Sequence, residues 1–150
     1  MQKGGKTMDI WKELQDEGID KALLDEIRQF RAAHRATPEA AARIPVPRFL
    51  YYGKEIWESA AAALLCGEHL LLAGPKATGK NVLAENLAAV FGRPNWDVSM
   101  YVNVDAASLI GADTLKDGKV VFREGPICQC ARMGGFGVLD EVNMAKNEAL

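Results

Sequence analysis

Eight consecutive residues in the middle of the chain have the spacing of a phosphate-binding loop. They follow the pattern G-x-x-x-x-G-K plus one residue, between an apolar run that predicts a strand and a run that predicts a helix. Glycines allow a tight turn in which successive N–H groups converge on phosphate oxygens, and the helix adds its partly positive N-terminus. The predicted phosphate-binding residues are Gly74, Pro75, Lys76, Ala77, Thr78, Gly79, Lys80 and Asn81. The alternative is a structural strand-to-helix turn with an exposed lysine.

Two adjacent carboxylates further along the chain could complete a site for hydrolysing a nucleoside triphosphate. Asp140 and Glu141 follow the apolar run 136–139, at the carboxyl end of a predicted strand. Ligands of parallel α/β sheets collect at these ends, so we expect both carboxylates and Lys80 to meet the same phosphates. Asp140 would hold Mg²⁺ through water, while Glu141 and Lys80 are the predicted catalytic residues. Alone, the acidic pair could also be a helix N-terminus favoured by the helix dipole.

One residue of the loop departs from the usual pattern. A serine or threonine normally follows the lysine, because its hydroxyl ligates Mg²⁺, but Asn81 stands here. An amide oxygen is a neutral donor that Mg²⁺ accepts. We therefore predict Asp140 and Asn81 as the metal-binding side chains, with Lys80 contacting the β and γ phosphates.

Periodicity places these motifs on a chain of helices and strands. The predicted elements are helices over 54–66, 80–91 and 126–132, and strands over 69–73, 96–102 and 136–139. Asp117 and Gly118 suit a type I′ turn, which predicts a β-hairpin across 114–122. Residues 9–35 predict two helical pieces separated by Gly18, with Asp20 capping the second piece.

The composition is that of an ordinary globular domain. The chain has 150 residues, 49% hydrophobic and 25% charged, with a net charge of −2. The lack of a basic excess disfavours nucleic acid as the main ligand. No apolar run approaches the roughly 20 residues that span a bilayer, and no secretory signal is recognisable. We therefore expect a cytoplasmic protein that does not insert in a membrane, with reduced thiols at its three cysteines.

Several further motifs, in this order and spacing, resemble one family of ATPases. The sequence from about residue 44 to residue 150 is similar to AAA+ ATPases of the MoxR-like group, with its CbbQ and NorQ relatives. Besides residues 74–81 and 137–141, the motifs that carry the resemblance are Tyr52-Gly53-Lys54-Glu55, Leu109-Ile110-Gly111, Gly125-Pro126-Ile127 and Asp140-Glu141-Val142-Asn143.

The resemblance implies an α/β fold, a P-loop NTPase sandwich of the AAA+ type with a parallel sheet of strand order 5-1-4-3-2 and a helical lid. Residues 1–43 would then form an N-terminal helical segment and connector. Residues 44–150 would form the N-terminal part of the AAA+ domain, with strands one to three only. In that order strand one lies between strands four and five, so it would have no neighbour in this chain. The 114–122 hairpin is similar to the family's helix-2 insert.

The resemblance also implies an activity and its partners. The family binds and hydrolyses ATP with Mg²⁺. The adenine of the bound nucleotide lies against a segment that in this chain contains Tyr52 and Gly53. Its members assemble into rings, commonly hexamers, and remodel or activate a client or adaptor protein, so this chain alone would be nearly inactive. Two alternatives remain open: a GTP-using motor subunit of the McrB type, and a nucleotide-responsive binding module without turnover.

Overall fold

The computed structural model describes residues 8–101 and 104–145. Contacts divide the chain into two compact units, one of Met1–Arg35 with Ile44–Gly92 and the other of Ala36–Arg43 with Arg93–Leu150. The helices are α1 (Ile10–Asp16), α2 (Lys21–Ala33), α3 (Pro38–Ala41), α4 (Lys54–Leu65), α5 (Lys80–Phe91), α6 (Ala106–Ile110) and α7 (Pro126–Met133). The strands are β1 (Asn95–Ser99), β2 (Gly111–Lys116), β3 (Lys119–Glu124) and β4 (Phe136–Asp140), and a 3₁₀ turn, Val142–Met144, follows β4. No helix in these two ranges is long and apolar enough to cross a membrane.

The first unit is a packed group of helices. Helix α2 packs against α4 and α5, and α1 packs against α5. Removing apolar side chains from water stabilises such packing by about 25 cal/mol for each Å² buried. The largest apolar side chains buried in this unit are Leu14, Leu24, Ile27, Trp57, Leu87, Val90 and Phe91.

Local signals set the helix ends in this unit. The carboxylate of Asp20 accepts hydrogen bonds from the N–H groups of Ala22 and Leu23, at 2.7 and 3.2 Å, which confirms the predicted cap. Gly18 has φ +81°, a left-handed conformation that ends the preceding helix. The predicted separation of residues 9–35 into two helices is therefore confirmed.

Helix α5 spans the residues that the apolar spacing predicts. It ends at Gly92, whose φ is +64°. The guanidinium of Arg31 donates to the carbonyl oxygens of Ala89 and Val90, at 2.9 and 3.3 Å. The Ala89 carbonyl also accepts the Gly92 N–H at 3.1 Å. The Arg31 bonds anchor the C-terminal turn of α5 to α2, at carbonyls near the helix end.

The predicted strand over 69–73 is wrong. These residues form no ladder, and the side chain of Leu71 is 82% exposed rather than buried. A strand needs a hydrogen-bonding neighbour, and no strand is present among residues 8–35 and 44–92. The apolar pattern is therefore compatible with a strand, but the described part of the chain supplies no partner for it.

The second unit contains a parallel strand pair. β1 pairs with β4 in a register that runs from Asn95 opposite Phe136 to Ser99 opposite Asp140. Beyond the last pair, the N–H of Met100 donates to the Asp140 carbonyl at 2.8 Å. Helix α7 packs against both strands. The strand predicted over 136–139 is thus confirmed beside the strand predicted over 96–102. The latter forms only from Asn95 to Ser99, since residues 100 and 101 are not in a strand and residue 102 lies outside the described residues.

A β-hairpin projects from this unit, as predicted. β2 and β3 pair antiparallel from Gly111 opposite Glu124 to Lys116 opposite Lys119. The two turn residues, Asp117 and Gly118, have φ of +52° and +75°, the positive values that a type I′ turn requires. The hairpin is longer at both ends than the predicted 114–122, because its pairing continues to Gly111 and Glu124.

Candidate functional site

Three residues of the glycine-rich loop, residues 74–81, have positive φ. Gly74, Ala77 and Gly79 have φ of +158°, +62° and +81°. A left-handed φ at a non-glycine residue such as Ala77 is uncommon and costs about 1–2 kcal/mol. Alternation between right- and left-handed residues turns successive N–H groups toward one point, where an anion can accept them. That residues 74–81 bind phosphate stays a prediction.

The loop leads directly into α5. Gly79 is the N-cap residue, and no side chain caps the helix. The first N–H groups of a helix carry the positive end of the helix dipole. An anion placed at this helix end would accept these N–H groups, which is how helix N-termini bind phosphate.

The side chain of Lys80 lies over its own loop. Its ammonium group donates to the carbonyl oxygens of Gly74 and Pro75, at 3.0 and 2.7 Å. The hydroxyl of Thr78 donates to the same Pro75 carbonyl at 3.0 Å. These contacts hold the positive charge of Lys80 against the start of its own loop.

Tyr51, which is in none of the sequence motifs described above, contacts this loop. One edge of the Tyr51 ring faces Gly79, where an added Cβ would lie 3.1 Å from Cδ2. The opposite edge faces Gly53, where an added Cβ would lie 3.3 Å from Cε1. Tyr52, which the resemblance places near the adenine, is 66% exposed. Gly53 and the glycine-rich loop therefore lie at opposite edges of one aromatic ring.

Two buried polar side chains hold the main chain of Tyr51. Asn86, on α5, is 0% exposed. Its amide oxygen accepts the Tyr51 N–H and its amide nitrogen donates to the Phe49 carbonyl, both at 2.9 Å. The indole N–H of Trp57, on α4, donates to the Tyr51 carbonyl at 2.9 Å. The sequence offered one signal for this arrangement, a polar residue on the apolar face of α5.

The predicted carboxylates lie in the second unit, at the end of β4. Asp140 is the last residue of the strand, opposite Ser99 of β1. Glu141 is exposed and has a left-handed backbone, with φ +54° and ψ +39°. Its N–H donates to the Asp140 carboxylate at 2.9 Å. Strained residues of this kind cluster at functional sites, so the conformation of Glu141 agrees with a role beyond folding.

A buried thiol lies beneath the same strand. Cys130 of α7 is 7% exposed, and an added Cβ at Gly137 would lie 3.4 Å from its sulfur. Burial raises the pKa of the Cys130 thiol, although a hydrogen bond from the Gly135 backbone and the charge of Arg93 oppose the shift. Cys66, Cys128 and Cys130 are free thiols.

The structure places the predicted residues in two groups. Tyr52, Gly53 and residues 74–81 belong to the first unit, whereas Asp140 and Glu141 belong to the second. That both groups meet one nucleotide stays a prediction. The donor chemistry of Asp140 and Asn81, a carboxylate with an amide oxygen, suits Mg²⁺, which also takes phosphate and water oxygens. Among residues 8–101 and 104–145, no three His, Cys, Asp or Glu side chains form a metal-binding group.

The loop, the helix behind it and the acidic strand end are features of P-loop nucleotide-binding proteins. Residues 69–150 match the AAA domain of the dynein-related subfamily. This match covers more than half of the chain, and the chain belongs to that family. The predicted membership in the AAA+ ATPases is therefore confirmed at this level.

Similar proteins occur in Staphylococcus and Bacillus species. The chain is 34% identical over 108 residues to an uncharacterized protein of Staphylococcus haemolyticus, covering 69% of this chain and 41% of that protein. It is 34% identical over 118 residues to the uncharacterized protein YojN of Bacillus subtilis, covering 76% of this chain and 39% of YojN. The chain thus spans about two fifths of the length of these curated relatives.

Proposed function

We propose that this chain is the nucleotide-binding part of an AAA+ ATPase of the MoxR-like group, which binds ATP and hydrolyses it. The observation that carries the proposal is the loop 74–81, which has positive φ at Gly74, Ala77 and Gly79 and leads directly into the N-terminus of α5 at the N-cap residue Gly79. The family match over residues 69–150 supports the AAA+ part of the proposal.

The first unit supplies the binding contacts in this proposal. Backbone N–H groups of residues 74–81 bind the phosphates, and the ammonium of Lys80 leaves the Gly74 and Pro75 carbonyls to contact the β and γ phosphates. Tyr52 and Gly53 bind the base. The Tyr51 ring between Gly53 and Gly79 supports this assignment, because it links the base segment to the phosphate segment.

The second unit supplies the hydrolytic carboxylate. Glu141 is exposed at the end of a parallel strand, so it can accept a proton from the water that attacks the γ phosphate. Asp140 and the amide oxygen of Asn81 are the side chains that would hold Mg²⁺, which neutralises charge on the phosphates. The catalytic residues are therefore Glu141 and Lys80.

The larger assembly is part of the proposal. We propose that the full-length protein forms a homo-oligomeric ring in the cytoplasm and uses ATP hydrolysis to remodel or activate a client protein. AAA+ domains commonly assemble in this way, and a neighbouring subunit then supplies an arginine to the transition state. We divide the chain into an N-terminal helical segment, residues 1–43, and the AAA+ region, residues 44–150.

The experiment that tests hydrolysis is a Glu141→Gln substitution in the full-length protein. Glutamine keeps the size of the side chain but cannot accept the proton, and loss of a general base costs about 10²–10⁴-fold in turnover. We expect turnover, measured as phosphate release, to fall by at least about a hundredfold with an unchanged ATP dissociation constant. Unchanged turnover would exclude Glu141 as the base, and equal losses of binding and turnover would indicate misfolding.

A further inference from the structure

A buried amide links the segment before α4 to the helix behind the phosphate-binding loop. Asn86 lies two helical turns after the start of α5 and is fully buried. It uses its oxygen for the Tyr51 N–H and its nitrogen for the Phe49 carbonyl. A side chain that forms both bonds fixes the position of residues 49–51 relative to α5.

The same short segment is tied a second time, from α4. The Trp57 ring is 0% exposed, and its N–H donates to the Tyr51 carbonyl. Both main-chain polar groups of Tyr51 therefore bind side chains from neighbouring helices. A part-buried polar group is unfavourable without a hydrogen-bond partner, so these hydrogen bonds hold the segment in one conformation.

The tied residue carries the ring that contacts the phosphate-binding loop. The edges of the Tyr51 ring face Gly79 of the loop and Gly53 of the base segment. A shift of the Tyr51 main chain would therefore move the ring away from both glycines. The position of the base segment relative to the phosphates thus depends on the hydrogen bonds of Asn86 and Trp57.

We propose that Asn86 is a positioning residue that sets the distance between the base segment and the phosphate-binding loop, so that the site selects a nucleoside triphosphate over inorganic polyphosphate. Asn86 acts through Tyr51 and touches no ligand. The proposal rests on the proposed nucleotide-binding function. In this proposal the segment 49–53 distinguishes a nucleoside triphosphate from inorganic polyphosphate, and residues 74–81 bind the phosphates of both ligands.

The test compares two ligands that differ by the nucleoside. Calorimetric titration of the full-length protein with Mg·ATP and with Mg·tripolyphosphate gives two dissociation constants for each variant. Asn86→Leu keeps the side-chain size but removes both hydrogen bonds, so the base segment adopts the binding conformation only part of the time. We expect ATP affinity to fall at least about tenfold, because both hydrogen bonds that hold the segment are lost, while tripolyphosphate affinity stays within about twofold.

Two further variants separate positioning from general destabilisation. Trp57→Phe keeps the buried ring and removes the donor to the Tyr51 carbonyl, so it should lower the ATP-to-tripolyphosphate affinity ratio in the same direction. Ile27→Val removes one methylene from a fully buried side chain of α2, which lowers stability without removing either hydrogen bond. This control should leave the ratio unchanged.

The outcomes distinguish this inference from the function on which it rests. If the wild-type protein binds neither ligand, the nucleotide-binding function and the inference both fail. If the wild-type protein binds both ligands, two results overturn the inference alone. In one, the Asn86 and Trp57 variants lose ATP affinity and tripolyphosphate affinity equally. In the other, they lose neither affinity. The same holds if wild-type protein binds ATP no more tightly than tripolyphosphate.

Discussion

A Gly79→Ala substitution tests whether the loop geometry controls nucleotide binding. Gly79 has φ +81°, a conformation that costs a residue with a Cβ about 1–2 kcal/mol. The new Cβ would also lie 3.1 and 3.3 Å from two carbons of the Tyr51 ring, closer than ordinary van der Waals contact. Because both the backbone and the ring resist the change, we expect the loop to shift and ATP affinity to fall about 5- to 30-fold.

Gly18→Ala is a matched control for this substitution. Gly18 has the same φ of +81°, but nothing lies within 4 Å of an added Cβ. In both variants alanine must adopt a left-handed backbone conformation, so the melting temperature should fall. The expected decrease is about 2–4 °C for each kcal/mol of lost stability in a chain of this size. Only Gly79→Ala should lose ATP affinity. Thermal unfolding followed by calorimetric titration with Mg·ATP measures both quantities, and wild-type affinity in Gly79→Ala would refute the proposed role of the loop backbone.

Two further predictions concern stability and reactivity. Asp20→Ala removes the cap of α2 and should lower the free energy of unfolding by about 1 kcal/mol. Urea denaturation measures this quantity, and an unchanged free energy of unfolding would mean that the cap does not stabilise the protein. Cys130 is buried, and its thiol pKa is raised. It should therefore react with iodoacetamide much more slowly than the exposed Cys66, because the thiolate is the reactive form. Mass spectrometry measures both rates, and equal rates would contradict the burial of Cys130.

Local signals in the sequence predicted the elements that depend on neighbouring residues. The ends of α5, the Asp20 cap and the turn at Asp117 and Gly118 all follow from contacts within a few residues of the chain. The strand over 69–73 could not be predicted correctly from its apolar pattern, because the pattern describes side chains and not the partner that a ladder needs.

The support of the candidate site depended on contacts that no local pattern describes. Asn86 bonds to Tyr51, 35 positions earlier in the chain and in a segment without helix or strand. The motif identified the residues that meet the phosphates, since their spacing is itself the signal. The residues that hold the base segment in place required the structure.

The most direct test of the central claim is Mg·ATP binding by wild-type protein, Lys80→Ala and Asn81→Ser. Lys80 supplies the charge at the loop, whereas a serine at position 81 offers a hydroxyl in place of the amide oxygen. Calorimetric titration should show saturable ATP binding by wild type and Asn81→Ser and none by Lys80→Ala. Equal ATP affinity in wild type and Lys80→Ala would contradict the assignment of residues 74–81 as the nucleotide-binding loop.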